Sequence, residues 1–345
     1  WVSYSGQGKT NNPDLYEEGR IHQVKGYMTD ILTDRTIDFI ERASHGDKPF
    51  FAYIGHKAVH PEAGQNDDGS VDFNIPFTYI PAKRHNLRYD DRTFKRAPNY
   101  GFSKQDQKTK PILKESLAFK NSHEITSRFG DMLDNGVAED TIRRRAEMVL
   151  AVDDGLGRII EALETQGQLD NTLIVFTSDN GFFFGEHGLS VERRLPYEES
   201  VKAPLLIRYP KLVRPQQKIE GLAVSIDLAP TILDIANVTI PEHVQGVSLR
   251  PLLNGNNKNV HDAILMEYYS HENPFYWTVN LDYRTIRKGK YKYIRWIRFE
   301  KQAELYDLEQ DPFEQNNLVD DQSMAKVVSE LRDEMRRMVV YSLGL

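Results

Sequence analysis

Residues 173–210 read LIVFTSDNGFFFGEHGLSVERRLPYEESVKAPLLIRYP. Leu173 to Phe176 is a short apolar run containing two β-branched residues and bounded by the turn-forming stretch Ser178 to Gly181. It reads as a buried strand that ends in polar groups. In open α/β sheets ligands bind beyond the carboxyl ends of the strands. Asp179 and Asn180, adjacent oxygen donors at such an end, are therefore the first candidates for a metal site. An ordinary Asx turn closing the strand is an equal alternative on spacing alone. Glu186 and His187, then Arg193 and Arg194, follow before a second apolar run from Pro204 to Tyr209. A loop so dense in charge between two buried strands points to function, and it makes His187 a candidate substrate contact.

The chain has 345 residues, more than one hydrophobic core usually organises, so one large and one small domain are expected. With 39% hydrophobic and 28% charged residues it has the composition of a globular protein, and no apolar run reaches the length of a membrane span. A formal net charge of −7 argues against broad electrostatic binding of nucleic acid. An anionic ligand must instead be met by a local cluster of basic residues. Cysteine is absent, which excludes disulfides, thiolate metal sites and cysteine nucleophiles within these residues.

From Lys25, apolar residues at Tyr27, Ile31, Ile37 and Ile40 predict an amphipathic helix. Phe50 to Ile54 then reads as a buried strand ending in GHKAVHP, which places His56, Lys57 and His60 at a strand's end. Three titratable groups in so short a stretch favour function over an incidental turn. Residues 64–110 read as a long polar surface insertion whose Lys83, Arg84, His85 and Arg88 either line an anionic substrate cleft or, the favoured reading, form a solvated face. Asp140 to Thr165 is a strong helical pattern, and its Asp153 and Asp154 point to different faces, which favours a structural role. Beyond Pro210 a strand is expected over Leu222 to Ser225, followed by a helix for which Asp227 is an N-terminal cap or first-turn acid. Runs at Ala263 to Tyr269, Tyr283 to Lys288 and Tyr291 to Trp296, and a last helix from Ser323 to Tyr341, predict a small antiparallel sheet with a packed helix. His271 and Tyr276 are candidate sugar contacts.

The words TSDNG, GEHGL and YEES, with GVSLRPLLNG and LYDLEQDPFEQNNL further on, resemble the signature of the type I sulfatases in the alkaline phosphatase superfamily. The likeness is nearest to the N-acetylglucosamine-6-sulfatase and heparan-type carbohydrate sulfatases. It implies an α/β fold in which residues 1–255 form a mixed sheet flanked by helices, incomplete at its N-terminus. Residues 256–345 form a small α+β subdomain with an antiparallel sheet. It also implies that Asp179 and Asn180 are ligands of Ca2+ (or Mg2+) and that Arg193 contacts the sulfate where the family usually has Lys. His60 would contact the sulfate and protonate the leaving oxygen, with His56 and Lys57 as further substrate contacts. Arg193 keeps the charge and adds a planar fork, but cannot serve as an acid.

The family's nucleophile is a formylglycine made from a Cys-x-Pro-x-Arg or Ser-x-Pro-x-Arg word. Neither form of that word occurs in these residues, and the resemblance matches nothing here to the family's other metal-binding Asp pair or its Lys-x-His word. The expectation is that the first part of the catalytic domain is missing and that this chain alone is inactive. The implied partner is a sulfated saccharide, with no nucleic acid and no membrane insertion, and the implied location is periplasmic or secreted. A phosphodiester or phosphonate hydrolase of the same superfamily, and a non-catalytic glycan-binding protein, are the alternatives.

Overall fold

The computed structural model describes residues 1–65, 71–72, 77–101, 103–110, 112–113, 139–189, 193–256, 259–269, 281–299 and 302–342. They fall into two compact units, Trp1–Arg96 with Val137–Leu173, and Ala97–Gly136 with Ile174–Leu345. His271 and Tyr276 lie outside the described residues.

The first unit begins with an antiparallel sheet of β1 (Val2–Ser3), β2 (Asp14–Glu17) and β3 (Arg20–Gln23). Helix α1 (Met28–Ser44) buries Met28 and Ile31 against Leu15 of β2. Helix α2 (Glu139–Thr165) buries Met148, Ala151, Gly155, Ile159 and Leu163 at helical spacing, as its pattern predicts. A methyl group at Gly155 would lie 2.5 Å from Thr33 Oγ1, so the glycine is what lets α1 and α2 approach. Another stripe of α2 carries Glu139, Glu147 and Asp154, at the sevenfold and eightfold spacing that keeps residues on one face. These acids fasten part of the polar insertion. Asp154 accepts from Arg84 Nε (2.7 Å), Glu147 from the amide of Tyr89 (3.0 Å) and Glu139 from the amide of Phe94 (2.6 Å). Arg84 also forks onto both oxygens of Asp30 at 2.8 Å, so Asp154 and Arg84 are structural.

Phe50 to Ile54 is not a strand. It runs without a β partner among the described residues, and Phe51 and Tyr53 are 67% and 86% exposed. An apolar run becomes a strand only where a neighbour takes its amides and carbonyls, and composition cannot reveal that neighbour.

The first unit also holds a short antiparallel pair, β4 (Gly64–Gln65) and β5 (Val71–Asp72). In the second unit β6 (Ile174–Thr177) pairs antiparallel with β7 (Leu205–Arg208), Thr177 opposite Leu205. Leu222 to Ser225 forms no strand; a turn of 3-10 helix at Ser225–Asp227 leads into α3 (Leu228–Ile235). Asp227 stands at the start of α3, but its buried carboxylate accepts the amides of Val224 and Val247, both at 2.9 Å, rather than capping the helix. The C-terminal region is a four-stranded antiparallel sheet ordered β11 (Ala303–Asp307), β10 (Tyr291–Trp296), β9 (Tyr283–Lys288), β8 (Ala263–Tyr268). One face packs Ile286, Tyr293 and Leu305 against Val328, Leu331 and Met335 of helix α4 (Ala325–Ser342). The other packs Tyr283, Ile294 and Trp296 against Phe183, Leu195 and Tyr197 of the charged loop. The alternation along β10 is that of a strand buried on both faces. All strand pairings among the described residues are antiparallel.

Candidate active site and the charged scaffold beneath it

The first unit carries His56, Lys57 and His60. Lys57 is buried, its ammonium donating to the carbonyl of Pro61 at 3.0 Å, and burial pushes its pKa down, with Glu62 opposing. Burial also holds His56 below the usual imidazole range, which favours its neutral form. His60 Nδ1 lies 2.8 Å from the same Pro61 carbonyl. A carbonyl oxygen only accepts, so Nδ1 carries a proton and Nε2 is the nitrogen through which His60 gains or loses one.

The second unit carries Asp179, Asn180, His187 and Arg193. Asp179 is exposed at the end of β6; its Oδ1 accepts the amide of the next residue, Asn180 (3.0 Å). Its Oδ2 and the Asn180 side chain make no hydrogen bond among the described residues. They remain two oxygen donors of the kind a hard cation takes, so the pair fits part of a calcium or magnesium site.

The YEES word holds this turn in place. Gly181 and Phe182 donate their amides to the carbonyls of Ser200 and Glu199, both at 2.7 Å. A methyl group at Gly181 would fall 1.9 Å from the Glu199 carbonyl oxygen, so only glycine allows the contact. The Ser200 hydroxyl donates to the carbonyl oxygen of Arg193. The candidate metal pair and the candidate sulfate-binding arginine are thus pinned to one short turn of helix, Glu198–Val201.

That turn is anchored in turn by buried charge. Tyr197 is buried, its hydroxyl 3.1 Å from Glu304, which also accepts from Trp296 Nε1 (3.0 Å). Glu198 meets Lys292 (3.1 Å) and Arg287 (3.3 Å) of the C-terminal sheet. Glu199 accepts from Asn99 (2.8 Å) and faces His187 at 3.6 Å.

His187 has no exposed surface, so direct contact with substrate is closed to it. Its backbone is left-handed (φ 53°), which turns the ring inward onto Tyr197, 4.5 Å away between ring centres. Asp106 stands 3.6 Å from Nδ1, and Asn99 3.1 Å from Nε2. At 3.6 Å the two carboxylates act on His187 as charges rather than as hydrogen-bond acceptors. Burial pushes His187 down, but Asp106 and Glu199 outweigh it and the net shift is up. Burial likewise raises Asp106, yet His187, Ser103 and Lys110 bring it to about 2.

His187, Glu199 and Glu314 present ligand atoms within 4.8 Å of one another, and such a group could hold a metal ion. Lys292 already places an ammonium 2.8 Å from Glu314, so the positive charge there comes from the chain itself. Asn99, Asp106, Lys110, Lys292 and Glu314 were not legible as partners of the motif. The one local signal was Ser103-x-x-Asp106, which forms a capping box.

Comparison with known proteins gives this arrangement a family. The sulfatase family model matches residues 3–238, and the model described as N-sulphoglucosamine sulphohydrolase, C-terminal, matches residues 185–340. The chain is 30% identical to an N-acetylglucosamine-6-O-sulfatase of Bacteroides thetaiotaomicron over 96% of its own length and 65% of that protein's. It is 31% identical to the N-acetylglucosamine-6-sulfatase of Homo sapiens over 70% of its own length and 39% of that protein's. It therefore spans less than two thirds of either relative. Among solved structures, one described as a complex with its substrate D-glucosamine-2-N,6-O-disulfate aligns with a TM-score of 0.77 at 29% identity, covering 98% of this chain and 75% of the other. A phosphonate monoester hydrolase from Silicibacter pomeroyi shares the fold at 23% identity and a TM-score of 0.70, covering 96% and 65%. With the family model running through both the strand bearing Asp179 and the YEES turn that holds it, this chain belongs to the sulfatase family.

Proposed function

We propose that the protein is a sulfuric ester hydrolase acting on a sulfated amino sugar, of the kind found in glycosaminoglycans or mucins. The observation that carries the reading is the shared anchorage of Asp179, Asn180 and Arg193 on the YEES turn. It gives a cation-binding pair and an oxyanion-binding guanidinium one common support. The names of the relatives, and the amino-sugar disulfate described with the solved structure, support the substrate class.

In this reading Arg193 neutralises a sulfuryl oxygen with its planar fork. His60 donates the proton that the departing sugar oxygen needs; its Nδ1 is engaged by the Pro61 carbonyl, so Nε2 is the donor. Asp179 and Asn180 would hold Ca2+ or Mg2+, which when bound offsets charge on the sulfuryl oxygens. Lys57 and His56 contribute to substrate binding. His187, being buried, serves through Glu199 and not by touching the sugar. Residues 1–345 hold no formylglycine word, so turnover belongs to a chain that also supplies one and these residues alone are inactive. Residues 1–255 then form the larger part of the catalytic domain, and residues 256–345 its small subdomain.

The phosphonate hydrolase reading is separated by a matched pair of esters. Given a gene product that includes a formylglycine word, N-acetylglucosamine 6-sulfate should be hydrolysed faster than N-acetylglucosamine 6-phosphate. Faster release of phosphate would replace the proposal with its alternative.

A further inference from the structure

A second cluster of positive charge lies in the C-terminal sheet and shares no residue with the proposed reaction site. At the β11 edge, where α4 and the helix Lys104–Thr109 border the sheet, there is a cavity of about 440 Å3. Its wall carries Lys108, Arg295, Arg332 and Arg336 in a protein whose formal net charge is −7. Arg332 and Arg336 stand four residues apart on α4, a spacing at which like charges repel. Arg295 sits directly across from Arg284 on β9, another like-charge pairing that strands disfavour. Arg284 is neutralised by Glu267 at 2.6 Å. Arg295, only half-exposed, has no ion pair among the described residues, nor has Lys108.

The acids on the wall do not cancel this charge. Glu304 is buried and already accepts from Tyr197, Tyr306 and Trp296. That leaves Asp320, with Asp333 beside Arg336 at 3.1 Å on the rim. Arg332 is steered over the Tyr293 ring, 6.0 Å from its centre, with Nη2 3.5 Å from the phenol oxygen. One more feature narrows the ligand. The side-chain oxygen of Gln302, in the same wall, is buried and has no hydrogen-bond donor among the described residues. A simple oxyanion offers none, whereas a sugar hydroxyl does.

We propose that this cavity is an accessory binding site for an anionic saccharide. Sulfate or carboxylate groups would meet Arg295, Arg332 and Lys108, and a hydroxyl would donate to Gln302 once that side chain turns its buried oxygen toward the cavity. It would grip a part of a longer glycan remote from the ester being cleaved, so it goes beyond the proposed function and does not depend on it.

Calorimetric titration of the chain with a heparin hexasaccharide at about 0.15 M salt, where exposed charges are screened beyond roughly 8 Å, tests the site. The controls are the desulfated, N-acetylated hexasaccharide and inorganic sulfate. Arg295→Gln with Arg332→Gln should weaken the hexasaccharide by about tenfold or more, the loss expected when charge-assisted hydrogen bonds go. Lys108→Gln with Arg336→Gln, both at exposed positions, provides a second variant whose folding is safe, and should weaken it in the same direction. Gln302→Ala should lower affinity for the hexasaccharide and leave inorganic sulfate unchanged. Binding should persist in Arg193→Gln, which is altered only at the proposed reaction site. Unchanged affinity in both arginine and lysine variants, equal binding of the desulfated sugar, or loss of binding in Arg193→Gln would each overturn the proposal.

Discussion

His187 has no solvent contact, and Asp106 and Glu199 each stand 3.6 Å from one of its ring nitrogens, where their negative charge favours the protonated ring. Its proton is held more tightly in the folded chain than in the unfolded one, because the carboxylates outweigh burial. That contribution to stability is whole below the unfolded value of about 6.5 and is lost as pH rises through the raised folded value. His187→Gln should cost about 3 kcal/mol at about pH 6, where buried Asp106, left with Lys110 alone, and partly exposed Glu199 both lose a facing cation, and should flatten the decline in stability toward alkaline pH. Urea unfolding of both proteins at about pH 6 and pH 9 measures this; an unchanged alkaline decline in the variant would reject the charged state. The ring was expected to reach substrate because sequence shows a histidine in a charged loop. It does not show the left-handed turn that points the ring inward, nor Asp106 and Asn99 roughly eighty residues away. His60 carries a separate expectation. In an active gene product, His60→Ala should slow hydrolysis of an unactivated sugar sulfate by about a hundredfold or more and an activated aryl sulfate far less. Equal losses on both esters would reduce His60 to a binding group.

At the scale of elements, the YEES turn is where the molecule concentrates its specificity. Each of its four residues faces a different structure: Tyr197 the C-terminal sheet's core, Glu198 Lys292, Glu199 His187, and Ser200 both Gly181 and Arg193. Gly181→Ala should therefore destabilise the chain by about 2 kcal/mol or more, since its new methyl meets immovable backbone. Gly157→Ala, on the exposed side of α2 with nothing within 4 Å, should stabilise it by about 0.5–1 kcal/mol. Thermal melts of the two variants decide the matter, and a neutral Gly181→Ala would show that the turn is not so tightly held. Strong periodicity made α1, α2, β8, β9, β10 and α4 legible in advance, with ends off by a few residues. β6 and β7 were legible from apolar runs between turn words. β11 was not assigned from the sequence, where Leu305 to Asp307 stand only as part of the word LYDLEQDPFEQNNL, although Leu305 and Tyr306 are both buried. Leu222 to Ser225 was misread in the opposite sense: its β-branched residue lies beside a backbone that closes onto Asp227 instead of a neighbouring strand.

Taken whole, the chain sets its candidate site residues on a scaffold of buried ion pairs, and only the candidate residues advertised themselves in sequence words. DNG and the arginine of the loop were visible because such residues are conspicuous beside apolar strands. Lys110, Lys292 and Glu314 were not, because their partners come from elsewhere in the chain. Arg193 and Asp179 are proposed as parts of one sulfate-handling site on one support. The direct measurement is hydrolysis of N-acetylglucosamine 6-sulfate, by a gene product bearing the nucleophile, across a Ca2+ titration in wild type, Asp179→Ala and Arg193→Gln. Both variants should lose about a hundredfold or more, as when an electrostatic stabiliser is removed, with added Ca2+ restoring part of the activity of Asp179→Ala and none of that of Arg193→Gln. Turnover within a few-fold of wild type in either variant would contradict the assignment.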